Sequence, residues 1–246
     1  MKKILEVNNL SKTYHTINEE INTLDNINFN VYEGEFISIV GPSGCGKSTI
    51  LSILSNLIDK SNGEIAILNG YKIAYMLQND SLLPFKTVLD NCLIGLKVNN
   101  MNTKENREYI IKLLNKYGLG SFINKYPNNL SGGMRQRCAL IRTLALKPDI
   151  LLLDEAMSAL DYQTRLKIGE DIYNIIKNEK KTAIMVTHDI GEAISMSDRI
   201  IVLTKRPGKI KKIYTIKLNN HSNPINNRKD IFFSKYFDKI WEDLNE

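Results

Sequence analysis

The sequence predicts an α/β protein built on a mainly parallel sheet with helices on both faces. Three observations carry that reading. Short apolar, β-branched runs alternate with segments of helical period along the 246 residues, the pattern of strand–helix–strand units. One run, Phe36-Ile37-Ser38-Ile39-Val40, passes through a glycine-rich turn into helical spacing at Ile50, Leu51, Ile53 and Leu54. Three runs also end in residues with chemistry to offer. Phe36–Val40 leads into the glycine-rich turn, Ile150–Leu153 into Asp154-Glu155, and Ala183–Val186 into Thr187-His188-Asp189.

Taken in order, residues 4–7, 27–31 and 36–40 read as strands, with Glu33-Gly34 marking a tight turn between the last two. Two more short apolar runs flank Asn69-Gly70. From about Leu89 to Leu146 the period becomes helical. Ile110, Ile111, Leu113 and Leu114 share one face, Leu140, Ile141 and Leu144 another, and Pro148 closes the stretch. This block, residues 89–146, reads as a helical insertion. The remainder, 1–88 and 147–246, forms the sheet domain, and the whole is a single domain. The runs at 150–153 and 183–186 are separated by a helix carrying Leu166, Ile168, Ile172, Ile175 and Ile176. Phe233, Tyr236, Phe237, Ile240, Trp241 and Leu244 predict a C-terminal amphipathic helix that packs on its own domain.

Composition narrows the function. The net charge is +6, with basic residues scattered apart from a modest cluster at Lys205-Arg206, Lys209 and Lys211-Lys212. No basic stripe interleaved with aromatics is present, so a solvated surface is favoured and no nucleic-acid partner is expected. Cys45, Cys92 and Cys138 lack metal-ligand spacing, and an odd count fits a reducing compartment. Glu6, Asn8 and Asn9 interrupt any signal-like apolar start after Met1-Lys2-Lys3. No stretch approaches the roughly 18–20 apolar residues of a membrane span. A cytosolic chain is expected, held at a membrane only by another polypeptide.

Residues 41–49, Gly-Pro-Ser-Gly-Cys-Gly-Lys-Ser-Thr, are a phosphate-binding loop. Its glycines let backbone N–H groups approach phosphate oxygens without side-chain clash. Lys47 can reach β- and γ-phosphates, the Ser48 hydroxyl can hold Mg²⁺, and the helix that follows adds its positive N-terminal dipole. Strand ends in a parallel sheet converge on one site. That places Asp154 as the expected second Mg²⁺ partner and Glu155 as a general base for water. His188 is placed to contact the γ-phosphate or orient that water.

Residues 130–137 read Leu-Ser-Gly-Gly-Met-Arg-Gln-Arg. They resemble the LSGGQ signature of ATP-binding cassette (ABC) ATPases, with Met134 where Gln is commonest. The resemblance covers essentially the whole chain. It implies a phosphate-loop NTPase fold: a RecA-like mixed sheet with an N-terminal antiparallel β region and an inserted helical subdomain. It also implies ATP and Mg²⁺ as cofactors. Tyr14 matches the adenine-stacking aromatic, and Gly41, Pro42, Ser43, Gly44, Cys45, Gly46, Lys47, Ser48 and Thr49 form the Walker A loop. Gln78 is the Q-loop glutamine, a Mg²⁺ contact with Ser48 and Asp154. Leu151–Asp154 with Glu155 is Walker B and the catalytic glutamate, Ser158-Ala159-Leu160-Asp161 the D-loop, and His188 the switch histidine. Ser131, Gly132 and Gly133 would meet the γ-phosphate bound on the opposite protomer, making the active unit a homodimer. Ser131 is also a plausible helix N-cap on spacing alone. Gln78 would link nucleotide state to Asn79–Asp90, the segment facing a membrane partner.

Residues 82–91 and 202–210 resemble the nitrate/sulfonate/taurine branch of importer ATPases. Phe85 stands where that branch usually has Trp, and Ala156-Met157 where it usually has Pro-Phe. The region from Glu64 to Gln78 is also short for it. The branch implies integral membrane permease subunits, a solute-binding protein and a peripheral place on the cytoplasmic membrane face, and it leaves the solute open. The alternative is a soluble ABC-type ATPase of DNA repair or translation, which usually carries coiled-coil insertions or paired cassettes. A small-molecule kinase fails to explain residues 130–137. Cys45, at a helix N-terminus inside the loop, is expected to have a lowered thiol pKa and to react with alkylating agents unless ATP protects it.

Overall fold

The protein's computed structural model describes residues 2–15, 19–157, 161–219 and 223–245. The elements run β1 (Lys3–His15), β2 (Glu20–Tyr32), β3 (Phe36–Val40), α1 (Lys47–Leu54), β4 (Asn62–Ile67) and β5 (Ile73–Met76). Then follow α2 (Val88–Val98), α3 (Lys104–Lys116), α4 (Gly132–Leu144), β6 (Ile150–Asp154), α5 (Tyr162–Asn178) and β7 (Thr182–Val186). The chain ends with α6 (Ile190–Met196), β8 (Arg199–Leu203), β9 (Ile210–Thr215), α7 (Pro224–Asn227) and α8 (Phe233–Asn245).

The strands sort into two sheets. β2-β1-β4 is antiparallel. The larger sheet has the order β5-β6-β7-β3-β8-β9, parallel except for the antiparallel edge strand β9. Every residue of β3, β6 and β7 is buried, because helices or the other sheet cover both faces. Side chains alternate between two cores with the period of two that a strand imposes. Leu151, Leu153, Ala183 and Met185 pack with α2, α4 and α5. Ile150, Leu152, Ile184 and Val186 pack with α1 and the antiparallel sheet. Helix α1 buries Ile50, Leu51, Ile53 and Leu54 in this second core.

The expected strands at 4–7 and 27–31 are the centres of much longer ones. β1 continues through polar Asn8, Asn9 and Ser11 because β2 and β4 both pair with it, and Asn9 takes a left-handed conformation at φ 51°. Strands β8 and β9 and helix α6 were not among the expected elements, although the apolar run Ile200–Leu203 carried the signal for β8. The C-terminal helix packs on its own chain as expected. Ile240 is fully buried, and Phe233, Tyr236, Phe237 and Leu244 rest on the core made with α6, β8 and β9. Trp241 departs from that face and is 56% exposed.

The segment between β5 and α2 is held from two sides. Asn91, wholly buried in α2, donates from Nδ2 to the carbonyls of Leu83, Lys86 and Thr87 and accepts from the Leu83 N–H. From α4, Arg142 donates to the Asp80 and Ser81 carbonyls, and Arg135 Nε lies 3.0 Å from Asp80 Oδ2. Arg135 also donates to the Leu130 carbonyl just ahead of α4.

Candidate functional site

The glycine-rich loop joins the central strand β3 to α1. Gly46 is the N-cap of α1 in the left-handed region at φ 103°, and no side chain caps the helix. A Cβ there would lie 2.6 Å from Leu24 Cδ2, so sterics and backbone both demand glycine. The first-turn N–H groups are left for a ligand to satisfy. Lys47 is 7% exposed, and its ammonium donates to the Gly41 and Pro42 carbonyls at 2.8 and 3.0 Å. It folds back over its own loop where a phosphate would sit.

The neighbouring strand ends supply the acids. In the sheet order, β7 lies directly beside β3 and β6 directly beside β7, so the three expected strand ends sit side by side at one edge of the sheet. Ser48 Oγ donates to Asp154 Oδ1 at 2.8 Å, and the Tyr75 hydroxyl donates to Asp154 Oδ2 at 2.7 Å. Burial first, and then the adjacent Asp154 carboxylate, push the Tyr75 phenol well above its ordinary pKa, so it remains a donor. Glu155 follows in a left-handed conformation at φ 41°, with its N–H bonded to the Val186 carbonyl at 2.9 Å. Gln78 Nε2 donates to Glu155 Oε2 at 3.0 Å, and His188 Nδ1 lies 3.4 Å from Oε1. An amide and an imidazole are thus gathered on one carboxylate.

Of these groups, Gly46, Lys47, Ser48 and Glu155 border a cleft of about 530 Å³, which Tyr14, Ile21, Thr23, Ser43, Gly44, Thr49 and Arg206 also line; Asp154, Gln78 and His188 are not among its lining residues. Tyr14 comes from the β1–β2 hairpin and is 37% exposed, with the Lys12 ammonium 4.9 Å from its ring centre. The antiparallel sheet therefore forms one wall and the phosphate loop the floor.

Ser131, Gly132 and Gly133 do not line this cleft. Ser131 caps α4, accepting from the Met134 N–H at 3.3 Å. Gly133 is pressed against α5, where a Cβ would fall 2.3 Å from Ile168 Cδ1. Ser158, Ala159 and Leu160 of the expected D-loop lie outside the described residues. Asp161 caps α5 through the Thr164 N–H.

Cys45 corrects an expectation. Its thiol is turned away from the cleft into the core against Gly41, where a Cβ would be 2.8 Å from Sγ. Burial raises its pKa rather than the helix lowering it, so the side chain is a core filler and an unreactive thiol. Sequence reasoning also missed Tyr75, Thr23, Ile21 and Arg206. Tyr75 and Arg206 reach the site only through long-range pairing; the stretch 202–210 and its Lys205-Arg206 pair stand out locally, but nothing in them aims Arg206 at the loop.

An uncapped helix opening on a cleft, beside a hydroxyl–carboxylate pair, is the chemistry of nucleoside triphosphate recognition, so the class is that of the phosphate-loop nucleotide-binding proteins. A profile of the ABC transporter family matches residues 24–158, and the chain belongs to that family. It is 44% identical over 248 positions to the uncharacterized ABC transporter ATP-binding protein YtlC of Bacillus subtilis (strain 168), across 98% of this chain and 95% of that protein. It is 38% identical over 221 positions to the aliphatic sulfonates import ATP-binding protein SsuB of Bacillus cereus (strain ZK / E33L), across 87% and 86% respectively. Its fold matches a dimeric post-hydrolysis structure of the ATP-binding cassette MJ0796 bound to ADP and Pi. The TM-score is 0.74 and the identity 34%, over 87% of this chain and 99% of that one.

Proposed function

We propose that this chain is the ATP-hydrolysing subunit of an importer, working as a homodimer on the cytoplasmic membrane face. Two separate permease subunits, fed by a solute-binding protein, would carry the solute. In this reading residues 1–246 are one ABC ATPase domain, with 89–146 as its helical subdomain. The observation that carries the proposal is the linkage of the β3, β6 and β7 ends, with Ser48 bonded to Asp154 and with Gln78 and His188 gathered on Glu155. Likeness to an aliphatic sulfonates import protein supports a small anionic solute of the sulfonate, taurine or nitrate kind, with bicarbonate and thiamine-precursor pyrimidines in the same branch.

The residues divide the work. Tyr14 stacks the adenine. The backbone from Gly41 to Thr49 and the start of α1 cradle the phosphates, and Lys47 exchanges its carbonyl partners for phosphate oxygens. Mg²⁺ suits the donors present. The Ser48 and Asp154 oxygens are hard ligands 2.8 Å apart, the donor type that Mg²⁺ takes alongside water and substrate oxygens. Ser48, Asp154 and Gln78 would hold Mg²⁺, which when bound neutralises phosphate charge. Glu155 takes the proton of the attacking water, while His188 and Gln78 fix its carboxylate. Ser131, Gly132 and Gly133 close the site from the opposite protomer.

Replacing Glu155 by Gln tests the reading. Steady-state hydrolysis should fall about a hundredfold or more, and size-exclusion chromatography with ATP should show a trapped dimer. Unchanged turnover would sink the assigned role. Binding to nucleic acid, with no membrane protein co-purifying, would favour the soluble DNA-repair or translation reading instead.

A further inference from the structure

We propose that Arg206 is a phosphate-binding residue of the nucleotide cleft, held there by the loop it serves. The inference rests on the cleft being a nucleotide site. Arg206 stands 162 residues from Gly44 in sequence, yet its Nε donates to the Gly44 carbonyl at 3.1 Å. It sits in the turn between β8 and β9, and that turn is fixed from three directions. The Gly208 N–H donates to the Thr23 carbonyl at 2.9 Å, and its carbonyl accepts the Asp25 N–H at 3.0 Å. A Cβ on Gly208 would lie 2.2 Å from the Cys45 carbonyl, so this backbone lies directly against the phosphate loop. Lys209 pairs with Asp25 at 2.8 Å, and the Lys209 N–H closes the turn on Thr204 Oγ1 at 3.0 Å.

Arg206 therefore enters the cleft from a rigid support. It lines the wall with Tyr14, Thr23, Ser43 and Lys47, and Glu155 is the one acid among the lining residues. Among the described residues no carboxylate pairs with Arg206. With Nε engaged, the terminal nitrogens keep donors to spare, and a planar guanidinium matches phosphate oxygens. A cation pinned beside the loop and lacking an acidic partner is completed by an anionic ligand. The bond to Gly44 adds a second effect. A cation on that carbonyl polarises the peptide whose other end is the Cys45 N–H, strengthening the bond that N–H makes to the Pro42 carbonyl at 3.3 Å and so firming the loop.

The test measures binding of ATP, ADP and AMP to the full chain as Arg206→Gln, Arg206→Lys and Lys47→Ala, at low and high salt. Arg206→Gln should weaken ATP and ADP about five- to tenfold at low ionic strength. The loss should shrink at high salt, as a charge contact requires. It should also be smaller for AMP, and Arg206→Lys should recover part of it. Wild-type affinity in Arg206→Gln, while Lys47→Ala loses binding, overturns the role of Arg206 and leaves the site intact. Undiminished binding in Lys47→Ala overturns the reading of the site itself. An equal loss at both salt concentrations, with a lowered Tm, would make Arg206 a prop of the turn and also overturn the proposal.

Discussion

Two helices of this protein begin at glycine-bearing loops, and they begin differently. α1 starts at a left-handed glycine with no side-chain cap, inside the cleft. α4 starts at an exposed serine whose hydroxyl accepts the Met134 N–H. A side-chain cap is worth about 1 kcal/mol, and α1 forgoes it. Its start is held instead by neighbours: Leu24 packs on Gly46, and the Lys47 ammonium bonds back to the loop. The contrast separates a helix end left open inside its own chain's cleft from one that its own serine already caps.

The largest effect that would break the contrast is Gly46→Ala. A methyl group at φ 103°, driven toward Leu24, costs about 1–3 kcal/mol of backbone strain and distorts the N–H cradle. ATP affinity should fall about a hundredfold or more, read by equilibrium binding; near-normal affinity would mean that the start of α1 is not the phosphate site. Ser131→Ala sharpens the contrast from the other side. It should cost about 1 kcal/mol in thermal unfolding and leave ATP binding to the monomer unchanged, while hydrolysis drops about tenfold. A matching loss of monomer ATP affinity would place Ser131 in the same half-site as Lys47. Tyr75→Phe should give the smallest change. It removes one donor from Asp154 and leaves Ser48 in place, so the Mg²⁺ concentration needed for half-maximal hydrolysis should rise about threefold. An unaltered Mg²⁺ profile would show that the phenol only fills space.

Local features of the site were legible in the sequence. The loop 41–49, the acids after β6 and His188 after β7 each depend on a few consecutive residues, and an apolar strand announces where its chemistry lies. Features that depend on which strands become neighbours were not. Tyr75 acts on Asp154 because β5 pairs with β6, and Arg206 acts on Gly44 because the β8–β9 turn folds over the loop. The length of β1 was hidden for the same reason, since its polar half is a strand only through its partners. Cys45 shows the converse error. Position in the motif suggested a reactive thiol, whereas side-chain direction, which sequence does not carry, put it in the core.

The bonds from Asn91, Arg135 and Arg142 have a mechanical consequence. They tie the stretch from Asp80 to Thr87 to α2 through Asn91, to the last turn of α4 through Arg142 and to its opening turn through Arg135. Arg135 is the short link between the two, since it bonds Asp80 on one side and the carbonyl of Leu130, the residue before Ser131, on the other.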